Sequence, residues 1–97
     1  VEGFFGAGPW ITPAFAANGP RDRATQEAIC RRVLDRFHDE VLVPLVLGTT
    51  RAAAVDLRRG LARLRPEKAW YDEIHPTPRG YQTLAALYVP VLAGWFP

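Results

Sequence analysis

Asp72 and His75 are the two residues best placed to do chemistry. They stand three apart in the string Trp70-Tyr71-Asp72-Glu73-Ile74-His75-Pro76-Thr77. In a tight turn that spacing lets a carboxylate reach back to Nδ1 of the imidazole and leaves Nε2 facing outward. Such a carboxylate fixes the ring's tautomer and stabilises the imidazolium that forms when the base takes a proton. The chemistry is general-base catalysis, of the kind that activates a hydroxyl. Glu73 is a rival carboxylate. In an extended turn it points away from the side its neighbour occupies, so Asp72 is the expected partner.

Other reactive types fare less well. Cys30 lies mid-helix, without the helix N-terminus or cationic setting that lowers a thiol pKa, and reads as a packing residue. His38 sits between Asp35 and Asp39 on a charged helix surface and reads as solvated. A metal site built from His38, His75, Asp72 and Glu73 has no standard ligand spacing, so no metal or cofactor is expected. Phe4, Phe5 and Trp10 could line an acyl pocket, although aromatics covering a core are the commoner case. Trp70 reads the same way. The most informative absence is serine: the chain has six threonines and not one Ser.

A rigid mount is needed to hold the Asp–His turn. Thr77 is a natural N-cap with Pro78 at the first helical position, which predicts a helix over 78–94. Its apolar stripe is Tyr81, Leu84, Ala85, Tyr88, Val91, Leu92 and Trp95, with Pro90 expected to bend it. Upstream, Ala53, Val55 and Leu57 alternate with Ala54, Asp56 and Arg58, which predicts a strand over 52–57. Residues 60–70 read as irregular, with one short turn. Ile29, Val33, Phe37, Val41 and Leu45 recur every fourth residue, which predicts an amphipathic helix over 21–47. Asp22 is its expected cap, Pro44 should kink or end it near Val43, and Gly48 should stop it. Residues 1–20 read as a loop followed by a helical turn from Pro9 to about Ala17.

One strand cannot make a sheet by itself. Helix, strand, reactive loop and helix in that order match the last third of a parallel α/β sheet. The expected fold class is α/β: the C-terminal fragment, over 1–97, of a three-layer α/β/α domain of flavodoxin-like type.

The string Asp72-x-x-His75-Pro76-Thr77-x-x-Gly80-Tyr81, followed by an apolar helix, resembles the final block of the SGNH/GDSL hydrolases. The stretch Gly8-Pro9-Trp10, Arg32, Asp35 and Arg36 in a long helix, and Val55-Asp56-Leu57-Arg58 are similar to a bacterial branch of that superfamily. The resemblance implies that Asp72 and His75 are triad partners of a nucleophilic Ser in an earlier block. It also implies an ester or O-acyl substrate and an acyl-enzyme mechanism. The family's nucleophile and its oxyanion-hole Gly and Asn have no matching position here. The resemblance therefore implies half a site, inert alone and completed by an N-terminal part of the same domain.

Composition narrows the alternatives. Charged residues make up 23% and apolar residues 48% of the 97, a globular balance. No apolar run is long enough for a membrane span, and no signal peptide is visible. A start at Val1 with no Met predicts a cut or processed piece, which leaves localisation open. Arg51, Arg58, Arg59, Arg63, Arg65 and Lys68 gather positive charge, but without interleaved aromatics the stretch reads as a solvated face, not a nucleic-acid surface. Two rival readings stay open. One is a non-catalytic helical module that docks a partner through its apolar stripes. The other is a pseudoenzyme that kept the Asp–His block and lost its serine.

Overall fold

Capping residues, prolines and glycines divide the chain. The computed structural model describes residues 8–96. Over these it shows α1 (Thr12–Asn18), α2 (Arg23–Phe37), a π-helical turn (His38–Leu42), α3 (Val43–Leu47), α4 (Pro66–Ala69) and α5 (Pro78–Trp95). Phe4 and Phe5, considered above for an acyl pocket, lie outside the described residues.

Local chemistry explains each boundary. α1 starts at Thr12 rather than Pro9, with Pro13 in its first turn. Asp22 caps α2, accepting from the Thr25 N–H at 2.9 Å and from the Thr25 hydroxyl. The hydroxyl bond is the larger cause of the lowered Asp22 pKa. Pro44 has no N–H to offer the Glu40 carbonyl, and its ring crowds that oxygen. The helix widens instead of stopping: the Val43 N–H bonds back to the His38 carbonyl, the i→i+5 pattern of a π turn. α3 then runs to Gly48. The expected kink at Val43 is thus absorbed over one wide turn. Thr77 caps α5, accepting from the Gly80 N–H at 3.1 Å, and Pro90 lies within that helix.

The expected α/β fold is corrected by residues 52–57. They form no regular element, and no strand lies beside them among the described residues. The one β-bridge there is an isolated antiparallel pair, Trp70 with Pro76. The described chain is a small all-helical domain, neither α/β nor a piece of a three-layer sandwich. The physical reason is plain. Alternation says which way side chains point along an extended chain, whereas a strand also needs a neighbour to pair its N–H and C=O groups. What holds 52–58 is ionic. Arg58 spans from Asp56 (Nη2–Oδ2, 2.8 Å) to Asp35 on α2 (Nη1–Oδ1, 2.7 Å). Arg59 follows in the left-handed region, φ 59°, and turns the chain toward α5.

Tight packing is local. Among the described apolar residues only Cys30, Leu61 and Ala69 are buried. The radius of gyration is 15.4 Å, against about 13 Å for a compact chain of similar length. The apolar stripe of α2 and α3 stays largely in solvent: Val33 is 61%, Phe37 51% and Leu45 59% exposed. The closest fit joins α4 to the start of α5. There Gly80 lies so near the Ala69 carbonyl that a Cβ would overlap its oxygen and press on Pro76.

Candidate functional site

The site is a loop closed by a two-bond ladder. The Tyr71 N–H donates to the His75 carbonyl at 2.7 Å, and the Thr77 N–H donates to the Ala69 carbonyl at 2.9 Å. The Thr77 hydroxyl donates to the Lys68 carbonyl as well. Residues 71–75 are therefore tied at their base to α4 on one side and α5 on the other. α4 itself was read from sequence as irregular chain. Pro66 starts it, but four residues carry too short a pattern for periodicity to detect.

Within this loop Asp72 and His75 come together. Asp72 Oδ1 accepts from the Ile74 N–H at 2.9 Å and from the His75 N–H at 2.7 Å, the local turn that Asp side chains favour. His75 Nδ1 then lies 2.8 Å from Oδ2 and 3.0 Å from Oδ1. The Asp72 side chain is 6% exposed and the His75 side chain 47%. Nε2 has no hydrogen-bond partner among the described residues. Burial pushes the Asp72 carboxyl up, but the Ile74 N–H, the His75 ring and the His75 N–H outweigh it and hold the group at about 2. It is an anion at neutral pH, so it accepts from Nδ1–H and leaves Nε2 as the basic nitrogen.

Glu73 points the other way, as two neighbours in an extended turn must. It is fully buried. Its Oε2 accepts from the backbone N–H groups of Trp10 and Ile11, each at 2.7 Å. Oε1 accepts from the Thr12 hydroxyl at 3.0 Å. It thus caps α1 from outside, and it is no partner of His75. Trp10, which reads from sequence as packing, donates its indole N–H to Asp72 Oδ2 at 3.1 Å. Its ring meets the His75 ring edge-on, with centroids 5.5 Å apart and planes at 62°. Gly8 makes room for this approach, since a Cβ there would stand 2.8 Å from the Asp72 Cβ and 3.0 Å from Glu73 Oε1. One signal in the sequence pointed here. A carboxylate facing away from its own turn needs donors from somewhere else.

The remaining candidates separate from this centre. Burial pushes the Cys30 thiol up, the reverse of an activated nucleophile. His38 is not simply solvated. Its Nδ1 lies 2.9 Å from Asp39, its Nε2 lies 3.9 Å from Asp56, and its side chain is 21% exposed. Among the described residues no three His, Cys, Asp or Glu side chains gather closely enough to hold a metal. No helix among them is long and apolar enough to cross a membrane.

An apolar cavity of about 370 Å³ lies between α2, residues 55–58 and α5. Trp70, Ile74 and Pro76 form one wall, while Asp72 and His75 are not among its lining residues. Comparison with family models, curated proteins and solved structures finds no match to this chain.

Proposed function

We propose that Asp72 and His75 are the carboxylate and the imidazole base of an acyl-transfer site of serine-hydrolase type, acting on a small ester or O-acyl group. The observation that carries this reading is a half-exposed ring held at Nδ1, 2.8 Å from a buried carboxylate oxygen, with Nε2 free. The likeness to SGNH/GDSL hydrolases rests on sequence motifs, chiefly the Asp-x-x-His block, because the sheet that family implies is not found among the described residues.

The chain has no serine, so the nucleophilic hydroxyl and the oxyanion donors come from residues beyond it. The steps then follow from the ring's geometry. Nε2 takes the hydroxyl proton as the oxygen attacks the carbonyl. The imidazolium faces the Asp72 anion and is stabilised by it. Nε2 next hands the proton to the leaving alcohol oxygen, and an acyl ester remains on the nucleophile. Water then attacks the acyl ester, giving its proton to Nε2, and Nε2 returns that proton to the nucleophile oxygen as its acyl bond breaks and the acid is released.

The test is turnover of a short p-nitrophenyl ester by the polypeptide as its gene encodes it. His75→Ala should lower kcat about 10⁴-fold or more, and Asp72→Asn should lower it strongly while keeping the fold. Equal turnover in His75→Ala ends the proposal. A second reading, a non-catalytic helical module, is favoured by the exposed α2 stripe. It predicts no esterase activity in any form of the polypeptide and loss of partner binding on Phe37→Ser. A pseudoenzyme shares the first outcome and not the second.

A further inference from the structure

Trp10 and Glu73 stand more than sixty residues apart in sequence, yet Trp10 bonds both Glu73, through its backbone N–H, and Asp72, through its indole. The Asp72 carboxylate has about four acceptor positions, and four donors claim them. Two backbone N–H groups take Oδ1, while Oδ2 is shared by His75 Nδ1 and the Trp10 indole. Three of these donors come from the turn itself, and only the indole reaches the carboxylate from outside it. It gives Oδ2 a second donor beside the ring it must hold, and the two rings stand edge-on.

Trp10 cannot hold this pose unaided, because it is 57% exposed and belongs to a segment with no regular structure. What fixes it is Glu73. The buried carboxylate takes the Trp10 and Ile11 N–H groups and the Thr12 hydroxyl together. We propose that Trp10 and Glu73 are positioning residues of the acyl-transfer site: Glu73 anchors the 10–12 segment, and through it the Trp10 indole locks the Asp72 carboxylate that orients His75. Neither residue is assigned contact with substrate. This inference rests on the reading of Asp72–His75 as a base, and it adds to that pair two residues outside the Asp-x-x-His spacing.

The decisive readout is the carboxyl titration of Asp72, followed by carbon-detected NMR. Trp10→Phe keeps an aromatic ring and removes only the N–H. Losing a donor to the charged form must raise the midpoint, so a rise of about half a pH unit or more is expected. A packing role alone leaves the midpoint where it is. Glu73→Gln should raise it in the same direction although the indole is intact. The double variant should show little beyond the larger single effect, the signature of residues acting through one another. Unchanged midpoints in folded Trp10→Phe overturn the role of Trp10; unchanged midpoints in folded Glu73→Gln overturn that of Glu73.

Should a variant not fold, the wild type still decides. The Trp10 indole proton should shift with the Asp72 midpoint, and an indole indifferent to that titration sinks the proposal. The underlying base reading is judged separately, by the ¹⁵N-determined tautomer of His75 at about pH 8.5, where an imidazole is neutral. The wild type should carry the proton on Nδ1, and Asp72→Asn should disturb that preference. A tautomer indifferent to Asp72→Asn removes the base reading whatever Trp10 does.

Discussion

The loop over residues 69–80 and the long helix over residues 23–47 use opposite means of holding shape. The loop is short, polar and crowded. Asp72, Glu73, Ala69 and Gly80 are all buried there, and the two acids are filled with donors. The helix is long and amphipathic, and its apolar row lies mostly in solvent. Position in the loop is set by directional bonds made within a dozen residues plus one distant segment. The helix is set by its own backbone ladder and by Arg58 at one side. The difference teaches where orientation is demanding. An imidazole that must face one way is held by groups whose geometry allows no slack, while a face that needs only cover is left open.

Four measurements put that contrast at risk. Gly80→Val should be the most damaging, because its Cβ would overlap the Ala69 carbonyl oxygen, which is backbone and cannot step aside. A loss of about 3 kcal/mol or failure to fold is expected, measured by urea unfolding. Normal stability would mean that the α4–α5 fit is loose.

Thr77→Ala comes next. It removes the cap on Gly80 and the bond to Lys68, and about 1 kcal/mol should be lost. No loss would show that Pro78 starts α5 without help.

Acid should act third. Folded Asp72 and Asp56 both lie at about 2, below their ordinary 3.8; for Asp56 the Arg58 guanidinium is the main cause. A depressed carboxyl contributes stability that is fully present above its unfolded value and is lost as pH falls through the folded one. Tm should therefore decline between about pH 4 and pH 2, and Asp72→Asn should flatten part of that decline. A Tm constant across this window would contradict both pairings.

The smallest effect belongs to the open face. Phe37→Ser and Leu45→Ser should change stability by no more than about 0.5 kcal/mol, while lowering any tendency to self-associate in sedimentation. A large loss of stability would mean that the row is packed after all.

Much of the site was legible because its signals are local. A three-residue spacing brought Asp72 to His75, and Thr77-Pro78 marked the start of α5 within a single turn of chain. Asp22 and Gly48 likewise mark ends that their own side chain, or lack of one, dictates. The long-range partners were hidden for the converse reason. Nothing in Trp10 announces a carboxylate 62 positions away, and the turn gives the direction of Glu73 without naming the donors it meets there. The fold class was misread at 52–57, where alternation is a property of one segment and pairing is a property of two.

The wide turn at His38–Leu42 has an effect beyond accommodating Pro44. On an ordinary α-helix each residue advances about 100°, so a row placed at every fourth position overshoots by about 40° per step. From Ile29 to Leu45 that overshoot would carry the row nearly half way around the cylinder. A π turn spends more residues per revolution and gives back part of this angle. Val41 and Leu45 therefore stray less from the line of Ile29 and Val33 than an unbroken α-helix would carry them. The wide turn that answers Pro44 thus narrows the spread of a row of fourth residues.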